Sequence, residues 1–111
     1  MDTDRGRDGW AALADGTRRA IIATLAEKSC AVGELAQGLP VTRSAVSQHL
    51  KVLKDAGLVS EHAQGTRRIY RVNAVALAAL RDQLDAYWRR TLSGYADLVS
   101  DETPHHTKED R

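Results

Sequence analysis

A mainly helical domain with one small β-hairpin follows from three features of the 111-residue chain. Apolar residues recur every three to four positions through most of its length. Two of the helical segments, residues 32–37 and 42–56, are separated only by a few residues that include Gly38 and Pro40. Two strand-like runs joined around Gly65 follow at once. Two short helices in close succession, the second longer and better capped, are the sequence form of a helix-turn-helix. A hairpin directly behind it makes the expected fold a winged helix-turn-helix of the α+β class, in the order α-α-α-α-β-β-α.

Trp10 to Ala14 reads as a short first helix. Asp15 then stands at an N-cap position, and Thr17–Glu27 continues with Ile21, Ile22 and Leu25 as an apolar stripe. Lys28 and Ser29 form a turn. The third helix, Val32 to Gln37, points Val32, Leu35 and Ala36 inward and stops at Gly38-Leu39-Pro40. Glu34 would be the N3 residue of a capping box, but Ala31 offers no side-chain acceptor, so this start is weakly capped. Thr42 caps a fourth helix that runs to about Ala56, with Gly57 as its left-handed end and Leu58 as the apolar residue beyond. Val59–His62 and Arg67–Val72 are the strands, joined by Ala63-Gln64-Gly65-Thr66. Of Ile69 and Tyr70, one must face the core. Asn73 caps a last helix from Ala74 to about Ser100, ~40 Å long at 1.5 Å per residue.

Length and composition bound the rest. The chain is 42% apolar and 28% charged, ordinary proportions for a globular domain. One small domain fits, spanning residues 9–100, with polar, aperiodic tails expected at 1–8 and 101–111 and no separate catalytic domain. No uncharged stretch is long enough to cross a bilayer, and the opening MDTDRGRDGW lacks the apolar run of a signal peptide. A lone Cys30 cannot form an internal disulfide, which suits a reducing cytoplasm. There is no phosphate-binding glycine loop and no set of nucleophile, base and carboxylate, so no enzyme is expected. No cofactor signature stands out either.

Charge is unevenly spread. Residues 42–72 carry Arg43, Lys51, Lys54, Arg67, Arg68 and Arg71 against Asp55 and Glu61, while the whole chain has a net charge of only +1. Such a block is the footprint of a protein that meets a polyanion on one face. At 100° per residue Val46, Leu50 and Leu53 form the buried side of the fourth helix. Opposite them lie Ser44, Ser47, Gln48 and Lys51, with Arg43 and Lys54 on a flank. Hydroxyls, an amide and cations suit the major groove, where Gln pairs with adenine and Arg or Lys with guanine. Thr42 and Arg43 sit at the helix N-terminus, the half of a recognition helix that meets bases and phosphate. Gln64, Thr66, Arg67 and Arg68 crowd the hairpin tip, where they would clamp phosphates or enter a minor groove. His49, about 60° from the buried centre, is expected to pack or hydrogen-bond within the helix pair, with a phosphate contact as the second reading and base reading as the third.

The last helix carries more apolar surface than a body this small can cover. Leu80, Leu84, Tyr87, Trp88, Leu92 and Tyr95 recur at helical spacing, with Trp10 and Leu13 as a second contributor, and together they read as a homodimer interface.

These residues resemble a known family. The runs ALADGTRRAIIATL, VGELAQGLPVTRSAVSQHLKVLKDAGLVS and QGTRRIYRV are similar to the ArsR/SmtB-type bacterial winged-helix repressors over about residues 10–100. The resemblance implies a homodimer joined by its first and last helices. It also implies binding to an imperfect inverted repeat, often in the regulator's own promoter, with release by a signal. Metal-sensing members carry a Cys-x-Cys pair just ahead of the acidic-Leu dipeptide of the third helix; here those positions are Ala31 and Gly33. Other members place ligands along the last helix, which here holds Asp82, Asp85 and Asp97 but no histidine or cysteine. Zinc and its neighbours need several N or S ligands in one place, and Cys30, His62, His105 and His106 are scattered. The expectation is therefore a member without the usual metal sites. Two alternatives stay open: a thiol or metal sensor acting through Cys30, its acidity raised by Lys28, and a winged helix used for protein contacts.

Overall fold

The computed structural model describes residues 9–102. Residues 1–8 lie outside that range, as does the expected C-terminal tail beyond residue 102, with His105 and His106. A helical turn at residues 9–12 (α1) is followed by α2 (Gly16–Glu27), α3 (Val32–Gln37) and α4 (Arg43–Asp55). The hairpin β1 (Val59–Gln64) and β2 (Arg67–Val72) comes next, and then α5 (Ala74–Glu102). The winged helix-turn-helix order is the one expected. Three boundaries move: the first helix gives way to a turn at Leu13, β1 reaches Gln64, and α5 extends into the segment expected to be tail.

Local chemistry explains where the helices start and stop. Asp15 Oδ1 accepts from the amides of Thr17 and Arg18 at 2.8 and 3.0 Å, closing the first turn of α2. Thr42 Oγ1 accepts from the Ala45 amide at 3.0 Å and opens α4. At the far end Gly57 has φ +82°, a region costly for any residue with a Cβ. The Gly57 and Leu58 amides donate back to the carbonyls of Lys54 and Leu53, each at 2.9 Å, which is the Schellman arrangement. Leu53 and Leu58 are both buried there. Asn73 Oδ1 accepts from the Ala76 amide and Nδ2 donates to the Gly57 carbonyl, so one residue caps α5 and ties it to the end of α4.

The strands pair antiparallel from Val59↔Val72 to Gln64↔Arg67. That register leaves a two-residue turn, Gly65-Thr66, in which Gly65 alone has positive φ, at +66°. This is the pattern of a type II′ turn, whose twist matches the strands. The outer edge of β2 is also occupied: Tyr70 exchanges both backbone hydrogen bonds with Cys30, at 2.8 and 3.1 Å. The hairpin is thus anchored beside the turn that leads into α3.

The core lies under the helix-turn-helix. Ile21, Leu25, Leu35, Val46, Leu50, Leu53 and Leu58 are buried, with Val59 from the hairpin and Leu80 from the start of α5. Tyr70 and Val72 pack against this cluster, and Ile69 is buried as well, so both candidates for the core position sink from water. The contacts divide the chain into a unit up to Leu80 and a second that begins at Arg81 and is helical as far as Glu102. From Arg81 to Ser100 no side chain is buried.

Candidate nucleic-acid interface

The buried stripe Val46–Leu50–Leu53 fixes the rotation of α4 and turns the opposite side outward. Thr42, Arg43, Ser44, Ser47, Gln48 and Lys51 are all exposed. So are Gln64, Thr66, Arg67 and Arg68 at the tip of the hairpin. The exposed tip and the polar side of α4 belong to one compact unit, and the hairpin is packed on α4 through buried Val59 and Leu58.

The cations on this face are not equally free. Lys51 pairs with Asp55 at 3.1 Å one helical turn away, with both side chains largely in water. Lys54 and Arg68 share Glu61, at 2.5 and 3.6 Å. Arg67 reaches Glu34 at the start of α3, at 2.9 Å. Arg43 lies alongside Gly33 of α3 and among the described residues has no carboxylate partner. The two wing arginines, expected to stand ready for phosphate, are thus already engaged with the protein's own carboxylates. They leave β2 on opposite sides, as consecutive strand residues must, and each side offers a carboxylate.

Glu61 is the hub at the base of the wing. Hydrogen bonds from Lys54 and then from the Tyr70 hydroxyl hold its carboxyl below the usual carboxylate range. Glu34 is held low in the same direction, first by the Ala31 amide and then by the Arg67 guanidinium. Neither role was visible in the sequence, where Glu34 appeared only as half of a capping box. Its other half is indeed missing, and the Ala31 amide donates to Glu34 Oε1 at 2.9 Å.

His49 is within hydrogen-bond reach of a protein partner, as expected, but that partner lies on α2 and outside the helix pair. His49 Nδ1 is 3.3 Å from Arg18 Nη1. Arg18 also donates through Nε to the Ala12 carbonyl at 2.6 Å. One guanidinium thereby ties α1 and α2 to the recognition helix. No local pattern marks the link to α4, because His49 lies 31 residues from Arg18.

Cys30 does not fit the alternative of a thiol made more acidic by Lys28. Burial, and after it the nearby Glu34, push its thiol pKa up, and Lys28 pulls the other way without prevailing. The thiol is 8% exposed and donates to the Lys28 carbonyl at 3.2 Å. A buried thiol held as S–H is a poor nucleophile and a poor metal ligand. Among the described residues no group of three or more His, Cys, Asp or Glu side chains is placed to hold a metal ion.

The apolar stripe also needs one correction. Leu80 belongs to the protomer's own core at 9% exposure, against Gly9, because the first turns of α5 still pack on the helix-turn-helix body. Leu13 is half-buried against the same core. Trp10, Leu84, Tyr87, Trp88, Leu92 and Tyr95 remain exposed, from 36% at Leu84 to 65% at Tyr95. Tyr87 and Trp88 meet edge to face with ring centroids 5.4 Å apart.

Comparison with known proteins decides the lineage. The description "Bacterial regulatory protein, arsR family" matches residues 15–61. The chain is 58% identical over 103 residues to the HTH-type transcriptional regulator Rv2034 of Mycobacterium tuberculosis, covering 92% of this chain and 96% of that one. It belongs to the ArsR family. Among solved structures, an ArsR-like transcriptional regulator from Rhodococcus sp. RHA1 superposes with a TM-score of 0.71 at 29% identity, covering 87% of this chain and 94% of that one. The homodimeric winged helix-turn-helix DNA-binding domain of Mb0332 from Mycobacterium bovis gives a TM-score of 0.66 at 30% identity, covering 78% and 81%. ArsR-family proteins are DNA-binding transcriptional regulators, and this chain is a regulator of that kind and not an enzyme. No helix among the described residues is long and apolar enough to cross a membrane.

Proposed function

We propose that this ArsR-family chain is a homodimeric, sequence-specific repressor of the inverted-repeat type, with residues 9–100 as its working unit. The recognition helix, residues 42–56, enters the major groove. Its N-terminal half supplies Thr42 and Arg43 to the backbone and Ser44, Ser47 and Gln48 to base edges or phosphate, with Lys51 further along the same face. The hairpin, residues 59–72, lies on the adjacent backbone or in the minor groove through Gln64, Thr66, Arg67 and Arg68. The observation that carries this reading is the exposure of all ten of these side chains, on a helix whose opposite side is the buried centre of the fold.

Self-association is supported by the exposed α5 stripe Leu84, Tyr87, Trp88, Leu92 and Tyr95, with Trp10 as a further contact. A run of exposed apolar side chains this long is unusual on a monomer, and the relative Mb0332 is a homodimer in this fold. The burial and raised pKa of Cys30 count against a thiol-sensing variant of the mechanism.

The test is fluorescence anisotropy with a duplex carrying the DNA immediately upstream of the gene, against a random duplex of equal length at physiological salt. A preference of at least about a thousandfold for the upstream duplex is expected of a specific regulator. Equal affinity for both would instead favour a winged helix that contacts an acidic protein.

A further inference from the structure

Glu34 is assigned no DNA contact above, yet its carboxylate holds the Arg67 guanidinium, a group proposed to meet phosphate. Its side chain is 45% exposed, and Oε1 accepts from Arg67 Nη2 at 2.9 Å. The same oxygen accepts from the Ala31 amide at 2.9 Å, so the carboxylate is anchored to the start of α3. An open groove of about 470 Å³ between the wing tip and the helix-turn-helix is lined by Glu34 and Gln37 together with Arg43, Thr66, Arg67 and Arg68. One of the three guanidinium groups lining this groove, that of Arg67, is thus already held by the Glu34 carboxylate.

We infer that Glu34 competes with DNA phosphate for the Arg67 guanidinium, holding the wing tip against α3 in the free protein and lowering the salt concentration at which the protein leaves DNA. The inference rests on the wing contacting DNA as proposed above. Arg67 has five N–H donors on a planar fork, so in the complex it either leaves Glu34 or shares itself between carboxylate and phosphate. In the first case the ion pair is lost, and in the second a negative charge stays close to the backbone. Both weaken binding. An exposed pair of this kind contributes little in water, which makes Glu34 a tuning device and not a lock. A freed carboxylate also regains part of the cation that phosphate neutralisation releases, so the dependence of affinity on salt is shallower than the number of cations suggests.

The experiment measures anisotropy isotherms on the upstream and random duplexes across a salt series for wild type, Glu34→Gln, Arg67→Ala and the double variant. Glutamine keeps an oxygen for the Ala31 amide, so the start of α3 is preserved. Glu34→Gln is expected to bind both duplexes about twofold to fivefold more tightly per protomer at about 0.1 M salt, with a salt slope steeper by about 0.3 to 0.7 per protomer. In the Arg67→Ala background the gain should vanish, because the competition acts through that guanidinium. Unchanged or weaker binding by Glu34→Gln at every salt concentration overturns the inference. A gain that survives in the double variant overturns it too, since Glu34 would then act as a bulk charge. The wild-type preference for the upstream duplex separates the two readings. If it is present while Glu34→Gln is silent, only the role of Glu34 fails; if it is absent, the DNA reading fails with it.

Discussion

Arg43 offers the cleanest measure of the proposed electrostatics, because, of Arg43, Lys51, Arg67 and Arg68, the cations assigned to DNA, it is the one without a carboxylate partner among the described residues. Replacing it with alanine removes one full charge per protomer and strands no acidic group among the described residues. Each phosphate contact contributes about −0.9 to the slope of log affinity against log salt. Losing one contact per protomer, two per dimer, should therefore flatten the slope by about 1.8. With the 1 M intercept unchanged, that corresponds to about sixtyfold weaker binding at 0.1 M salt, roughly 2.4 kcal/mol. Lys51→Ala is the internal control. Its charge is already offset by Asp55 at 3.1 Å, so the slope should change by clearly less. Arg43→Lys, which keeps the charge, should hold the wild-type slope. Anisotropy titrations from 50 to 300 mM salt read all three. Equal flattening by Arg43→Ala and Lys51→Ala would refute the reasoning that internal ion pairing grades these cations.

Gln48→Ala should relax preference at one base pair by ~1–3 kcal/mol while leaving random-duplex affinity unchanged; single-base operator variants in the same assay test this, and equal losses on cognate and random DNA would remove Gln48 from base reading. Leu92 is 59% exposed on α5, and Leu92→Asp should raise the dimer dissociation constant by at least about a hundredfold, since an unpaired carboxylate resists burial. Sedimentation velocity should then show monomers with unchanged helical circular dichroism. The Glu61 carboxyl, held low mainly by Lys54 and the Tyr70 hydroxyl, contributes stability that is fully present above the ordinary carboxylate range. That stability is lost as pH falls through the depressed folded-state value. Denaturation midpoints between pH 7 and pH 3 should fall less steeply for Glu61→Gln than for wild type.

The parts of this structure that were legible in the sequence are those set within a few residues. Asp15, Thr42, Gly57 and Asn73 mark helix ends because each acts on backbone groups close along the chain. The polar face of α4 was legible for the same reason: three apolar residues at helical spacing define its reverse. What escaped depends on contacts between remote segments. The Arg67–Glu34 pair joins residues 33 apart, and no local pattern announces it. Cys30 looked accessible to Lys28 along the chain, but its backbone pairs with Tyr70 across the fold, and burial governs the thiol. Leu80 and Leu84 continue one helical stripe, and periodicity alone could not divide them between the protomer's own core and a surface left for a second copy.

The central claim is that two copies each place one α4 in the major groove, one helical turn apart. Dimethyl sulfate protection of guanine N7, a major-groove atom, tests it most directly on the duplex taken from upstream of the gene. Two protected patches about 34 Å apart, related by a dyad and both lost in the Leu92→Asp variant at limiting protein, are the expected result. A single patch, or protection that persists when dimerisation is abolished, would contradict it.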